Sequence, residues 1–251
     1  MLKNNDDNSI QLNKVALLMN KLLNNTNFFK SEKIPLILFQ TYFDKSKVPQ
    51  MIYDNINKYA SEYKHYIYDD VDSNNFLSYY FKPIVLKTFN QLKLGAHKAD
   101  LLRYCLMYIY GGVYLDIKIE LIKPLSEIIK NDNFIYSVLS NSKDHIFQAI
   151  IISKPNNLFF LKLINYITNI QNPNDYFAFC KDYFNNIIED SMESVKIGLN
   201  VGYEQLHYLF EERCSKDSSK CHDGLDKYGQ CCLVYEDNIP IIKCRYASFP
   251  W

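Results

Sequence analysis

The alternation of apolar and polar positions changes period several times along the chain, and each change marks a new element. Ile10, Leu17, Leu18 and Leu22 share one face between Asn-rich ends, which predicts a helix over Ser9–Asn27 and an N-terminal helical arm over residues 1–30. With only Lys14 and Lys21 as positive charges, that arm suits docking on protein better than lying on a membrane. From Ile34 the texture becomes Ile34-Pro35-Leu36-Ile37-Leu38-Phe39, a continuous apolar run of the kind found in strands buried on both faces. A globular domain is therefore expected over residues 31–251. Residues 49–60 read as helix, Tyr66-Ile67-Tyr68 as a strand ending in an Asp69-Asp70 turn, and residues 74–94 as helix around Pro83. Strand and helix alternate, so the fold class is α/β, with a mostly parallel sheet over residues 34–154 and helices on both faces. Residues 155–235 read as apolar-periodic helices without a catalytic constellation, so the segment 155–251 is expected to add helices to this core.

The densest pattern is His97–Pro124. Ala99, Leu102, Leu106 and Ile109 form an apolar helical stripe, with Asp100 and Arg103 on a neighbouring face. Gly111-Gly112 ends that helix. Val113, Leu115, Ile117, Ile119 and Leu121 then alternate with Tyr114, Asp116, Lys118 and Glu120, which predicts one strand over Val113–Leu121 with its polar groups on one side. A phenol, a carboxylate and an ammonium at a sheet edge make a candidate ligand site, because α/β sheets bind ligands beyond the carboxyl ends of their strands. The alternative for Asp100 and Arg103 is an ion pair on the helix surface, worth roughly 0.2–0.5 kcal/mol.

Composition narrows the partners. The 28 basic and 28 acidic side chains cancel, so no net field draws the protein to nucleic acid. The aromatic content of 15% is mostly Tyr, whose flat face and hydroxyl suit sugars and bases, although a codon bias toward Asn, Lys and Ile accounts for it more simply. No run approaches the roughly 20 apolar residues that span a bilayer, and Met1–Asn8 lacks a signal-peptide start. A cytoplasmic location is expected, with peripheral membrane association left open. Of the seven cysteines, Cys214, Cys221, Cys231, Cys232 and Cys244 crowd around His222. The odd count and the absence of a CxxC pair favour ordinary thiols in a reducing compartment over a zinc site. His207 reads as a structural histidine.

Leu94-Gly95-Ala96-His97-Lys98-Ala99-Asp100-Leu101-Leu102-Arg103-Tyr104, followed by Tyr110-Gly111-Gly112-Val113-Tyr114-Leu115-Asp116, resembles the family 32 glycosyltransferases. Ile34–Tyr42 with Val48-Pro49 is similar to that family's first strand and nucleotide-binding turn, and Phe147–Lys154 fits more loosely. The resemblance implies a GT-A-like, Rossmann-like nucleotide-diphospho-sugar transferase fold and a UDP- or GDP-sugar donor. It further implies retaining transfer of a hexose to a glycan, protein or lipid acceptor, a Mn2+ or Mg2+ ion, no organic cofactor, and an acceptor side and closing segment in residues 155–251. Carried over by residue, Asp100 and Arg103 would hold hydroxyls of the donor sugar, and Gln40, Thr41 and Tyr42 would line the base and ribose pocket. Tyr114 would sit near the ribose, and Asp116 would be the first carboxylate of the DXD element. A carboxylate and a guanidinium can each grip paired hydroxyls with charge-assisted bonds. For Tyr42 and Tyr114, core packing is an equal alternative.

The DXD element itself reads Asp116-Ile117-Lys118. Glycosyl transfer leaves negative charge on a departing diphosphate, which an enzyme must stabilise most in the transition state. Lys118 removes a hard oxygen ligand and repels a metal, yet its ammonium can meet the diphosphate directly. Asp116 and Lys118 are therefore the candidate catalytic residues and Asp116 and Glu120 the candidate metal ligands, although a rise of about 3.3 Å per residue sets Glu120 off the usual ligand position. Two functions remain open. One is a retaining hexosyltransferase with weakened metal dependence; the other is a non-catalytic sugar-nucleotide-binding or scaffold protein in which Lys118 and Glu120 pair as ions. Trp251 is read as a chain end rather than a ring stacked on the donor.

Overall fold

A computed structural model describes residues 14–24, 30–170, 175–221, 225 and 229–244. Strand β1 (Ile37–Thr41) pairs in parallel with β2 (Lys64–Tyr68) and with β3 (Gly112–Leu115). Strand β6 (Ile146–Ser153) runs antiparallel between β3 and β5 (Phe134–Leu139), and β5 pairs in parallel with β8 (Leu206–Ser215). Around β8 lie β7 (Gly198–Val201) and β9 (Cys231–Glu236), then β10 (Ile239–Cys244) and β4 (Ile119–Leu121), all paired antiparallel.

The sheet is thus mixed, not mostly parallel as the alternation predicts. The cause is visible in the connections: six residues between β5 and β6 allow a hairpin but not the longer crossover that parallel neighbours need. Strands β1, β2, β3, β5 and β8 still point the same way, so their carboxyl ends share one edge.

The expected single strand over Val113–Leu121 breaks at residues 116–118, where Ile119 N bonds to Asp116 O at 2.9 Å. Its two halves join opposite parts of the sheet, β3 beside β1 and β4 beside β10. Four residue steps reach at most roughly 14 Å, so the sheet must curl until β4 returns close to β3. The curl holds a core of Val113, Leu115, Ile119, Leu121, Val138, Phe210 and Ile242.

Helices cover both faces. Helices α2 (Gln50–Tyr59) and α6 (Leu125–Ile128) supply Ile56, Leu125 and Ile128 to the core inside the curl. The other face carries α3 (Asp70–Tyr80), α4 (Pro83–Gln91), α5 (Gly95–Ile109), α7 (Leu158–Ile170) and α8 (Ala178–Asp190). Local chemistry starts two of them: Asp69 and Asp72 form a reciprocal capping box on α3, and Pro83 opens α4 where a missing N–H costs nothing. Two glycines set β3 against its neighbours. At Gly112 (φ +90) a Cβ would lie 2.5 Å from Ile37 O, and at Gly111 (φ +63) 2.5 Å from Pro155 N, so neither position accepts a side chain.

Among the described residues beyond 155, α7 and α8 are the only α-helices, and β7 to β10 add strands to the same sheet in place of the expected helices, with a 3-10 turn at Ser218–Lys220. The two-residue link Asp237-Asn238, with φ of 47° and 68°, is the left-handed turn that closes a tight hairpin between β9 and β10. The expectation of ordinary thiols also fails in part, because the pairing of β8 with β9 brings Cys214 to Cys232, and the turn after β8 brings Cys221 to Cys231, as disulfides. Cys105, Cys180 and Cys244 stay outside them. These bonds withdraw the support that the cysteine count lent to a reducing compartment. Residues 14–22 are helical, and Leu22 and Leu23 bury themselves in the helical layer, so this part of the arm is docked. The rest of Ser9–Asn27, His222 and Trp251 fall, in whole or in part, outside the described residues. Among the described residues, no helix is long and apolar enough to cross a membrane.

Candidate functional site

The carboxyl edge of β1 and β3 meets the first half of α5, and four charged side chains, Asp100, Arg103, Asp116 and Lys118, converge there. Arg103 is the hub. Its Nη2 lies 3.4 Å from Asp100 Oδ1 and 3.2 Å from Asp116 Oδ1, its Nε donates to Ala99 O at 3.1 Å, and its Nη1 donates to Gln148 O on β6. The guanidinium also covers the Tyr114 ring at 4.6 Å. Tyr114 Oη donates to Asp116 Oδ1 at 3.2 Å and meets Thr41 Oγ1 at 3.0 Å. Lys118 Nζ sits 3.4 Å from Asp116 Oδ2, so the turn after β3 folds the ammonium back over the carboxylate.

Burial makes these contacts strong. Asp100 and Arg103 are 5% and 4% exposed, which rules out the surface ion pair that their spacing allows. The stripe on α5 extends to nearly all-round burial because α7, β3 and β6 pack against it and α8 reaches it through Phe179 on His97 and Tyr183 on Tyr104. The two carboxylates on this one guanidinium differ. Burial pushes Asp100 up to about 6, against the pull of Arg103 and with the push of Asp116. Asp116 also suffers burial, but Arg103, Lys118 and the Tyr114 hydroxyl outweigh it and hold it below the usual range. One site therefore keeps a firmly ionised carboxylate beside one that titrates near neutrality.

The sign of the Asp100 shift has two consequences. A carboxyl raised in the folded state contributes stability that is present below the unfolded pKa and is lost as pH rises through about 6. Any hydroxyl bound by its charged form should be released in the other direction, as pH falls through the same value. Binding of a hydroxyl-bearing ligand at Asp100, followed by calorimetry from pH 8 to pH 5, is expected to weaken with an inflection near 6 that Asp100→Asn removes. An inflection that survives in Asp100→Asn would assign the titration elsewhere.

Other candidates are placed differently. Gln40 is wholly buried, pinned by His65 Nε2 at 2.9 Å and reaching Asp116 O at 3.4 Å, so it holds the edge of β1 to the turn. Tyr42 follows β1 and packs on Phe43 with ring centroids 4.6 Å apart, beside Val48, Ile52 and Ile117. Tyr114 has no exposed surface and serves to seat Arg103 and Asp116. Glu120 does not join this group: on β4 it faces Lys243 at 3.9 Å and lines a depression with Asp54, Asn55 and Lys58 of α2. The strand break turned it away.

Among the described residues Asp116 belongs to no trio of His, Cys, Asp or Glu ligand atoms. A single carboxylate held between a guanidinium and an ammonium does not fit a divalent ion, which needs several oxygen ligands. Sequence reasoning missed Gln148, whose amide satisfies its surroundings with nitrogen toward Asp100 Oδ1 at 3.2 Å. It also missed Glu212, which accepts from Asn141 N at 3.0 Å within electrostatic reach of His145 and Lys118. Neither has a local signal, since both arrive through sheet pairing.

A buried arginine bridging two carboxylates thus lies at the carboxyl edge of a mixed α/β sheet, the edge where sheets of this class bind ligands. The model of the glycosyltransferase sugar-binding region containing a DXD motif matches residues 3–135, more than half of the 251 residues, and the chain belongs to that family. It is 29% identical over 128 residues to an uncharacterized glycosyltransferase of Acanthamoeba polyphaga mimivirus, covering 49% of this chain and 51% of that protein. It is 27% identical over 145 residues to a mannosyl phosphorylinositol ceramide synthase of Saccharomyces cerevisiae, covering 56% of this chain and 37% of that one. A third relative, the initiation-specific alpha-1,6-mannosyltransferase of Candida albicans, is 33% identical over 76 residues, covering 30% of this chain and 20% of that one. The chain spans about half or less of the length of these relatives. No solved structure matches it.

Proposed function

We propose that this chain is a GT-A-like retaining glycosyltransferase that moves a hexose from a UDP- or GDP-sugar, and that Lys118 takes over charge stabilisation that a DXD-bound metal ordinarily supplies. The observation carrying this reading is the Lys118 ammonium 3.4 Å from Asp116 in the turn that replaces the second DXD carboxylate. In the reaction, the bond from the anomeric carbon to the diphosphate oxygen breaks and its electron pair leaves with the diphosphate. An acceptor hydroxyl oxygen bonds the anomeric carbon, and its proton passes to the departing phosphate. Lys118 meets the charge as it grows, Asp116 holds Lys118 in place, and Asp100 with Arg103 binds sugar hydroxyls. Thr41 and Tyr42, at the end of β1, flank the nucleotide.

Lys118→Ala should lower turnover by about 10²-fold while changing donor affinity far less, because the contact matters most in the transition state. Donor hydrolysis and transfer, measured across a manganese and chelator series, are expected to persist in chelator. Activity that vanishes with chelator and ignores Lys118 would overturn the metal substitution. Donor binding without turnover under any condition would identify a non-catalytic sugar-nucleotide-binding protein, the reading favoured by the same departure at position 118.

A further inference from the structure

Two aromatic pairs flank the charged floor. On one side Tyr42 and Phe43 continue from β1; on the other, Tyr176 and Phe177 lead into α8, which packs on β6. The strand order β1-β3-β6 places Asp116, at the end of β3, between them. Tyr176 is 54% and Phe177 42% exposed, and their rings meet edge to face at 5.1 Å. The two touching rings make one continuous open aromatic patch, the kind of surface that marks a binding site more than singly exposed side chains do.

Both residues are held firmly from behind. His97, 2% exposed, donates through Nε2 to Tyr176 O at 3.0 Å, and Phe177 N donates to Asp175 Oδ1 at 2.9 Å. The Phe177 ring also lies against the His145 ring at 4.7 Å. The His97 and Tyr176 rings lie 5.9 Å apart, and His97 stands one helical turn before Asp100 on α5, so Tyr176 is set against the turn that carries that carboxylate. A fixed aromatic face next to hydrogen-bonding carboxylates is the chemistry that recognises a pyranose, whose C–H face stacks while its hydroxyls reach the charges. Rings already held in position also lose little entropy on binding.

We propose that Tyr176 and Phe177 form the acceptor subsite, a stacking platform for the terminal hexopyranose of a glycan. This rests on the glycosyl-transfer reading above: with the nucleotide on the β1 side and the donor sugar at Asp100 and Arg103, the α8 side is where the attacking sugar enters. An acceptor that is a lipid or a protein hydroxyl would have no use for such a platform.

Two measurements separate this from the donor assignment. Saturation-transfer NMR with methyl α-D-mannopyranoside, methyl α-D-glucopyranoside and methyl α-D-galactopyranoside, without donor and with a nucleoside diphosphate, reports the platform alone. At least one glycoside is expected to bind wild type, to lose about tenfold affinity in Tyr176→Ala and Phe177→Ala, and to regain it in Phe177→Tyr, which keeps a ring. In turnover with a nucleotide sugar, the same alanine variants should shift the partition between transfer and hydrolysis about tenfold toward hydrolysis. If wild type binds none of the glycosides, or if transfer and hydrolysis fall in parallel, the platform assignment is overturned. If glycosides bind as described but no nucleotide sugar does, the donor reading fails and the platform stands.

Discussion

Replacing Arg103 by alanine is expected to lower folding stability by about 3–5 kcal/mol, the cost of leaving buried charges without their partner. The side chain is 4% exposed and contacts Asp100, Asp116, the carbonyls of Ala99 and Gln148 and the Tyr114 ring, so its loss strands the buried Asp100 charge and leaves Asp116 to Lys118 and the Tyr114 hydroxyl. For a chain of this size that corresponds to a Tm lowered by about 10 °C. Asp100→Asn in the same background removes the stranded charge and should recover part of the loss, a coupling that a double-mutant cycle measures. A Tm change of only a degree or two in Arg103→Ala would mean that water reaches these carboxylates and that the site is softer than described.

Asp116→Asn is expected to lower turnover by about 10²-fold without weakening the affinity for free nucleoside diphosphate. The amide keeps the shape of the side chain and can still accept from Tyr114, but it no longer fixes Lys118 by charge. Lys118 then faces the diphosphate without Asp116 as an internal competitor, so binding should hold while positioning suffers. A KM-against-kcat comparison, with calorimetry of the diphosphate alone, separates the two effects. Parallel loss of diphosphate binding and turnover would show that Asp116 grips the nucleotide, directly or through a metal, and that the ammonium is secondary.

Much of this site was legible in the chain. The run Ile34–Phe39, the helix through Asp100 and Arg103, the glycine stop and the strand that follows it all follow from local period and from residues with few conformational choices. Lys118 beside Asp116 was legible too, although it arises from a turn rather than from a shared strand face. What local pattern does not carry is partner identity. Alternation through residues 113–121 continues unbroken while the backbone turns at 116–118, because Ile117 finds a separate apolar contact with Ile52. Strand direction between β3 and β6, the burial of Arg103 against β6, and the pairing of Cys214 with Cys232 depend on segments tens of residues apart. The strands after residue 198 escaped for a related reason: buried on a curled sheet, Leu206–Ser215 does not alternate cleanly.

The central claim is that the Arg103-bridged site binds a nucleotide sugar and distinguishes it from the bare nucleotide. Thermal unfolding of wild type and Asp100→Asn with UDP, GDP and a panel of their hexose conjugates tests this directly, since a ligand of the native state raises Tm by mass action. One conjugate should raise the Tm of wild type well beyond its parent diphosphate, and Asp100→Asn should respond to conjugate and diphosphate alike. Wild type that ignores every conjugate at millimolar concentration, or that responds to sugar conjugate and diphosphate equally, would contradict the account.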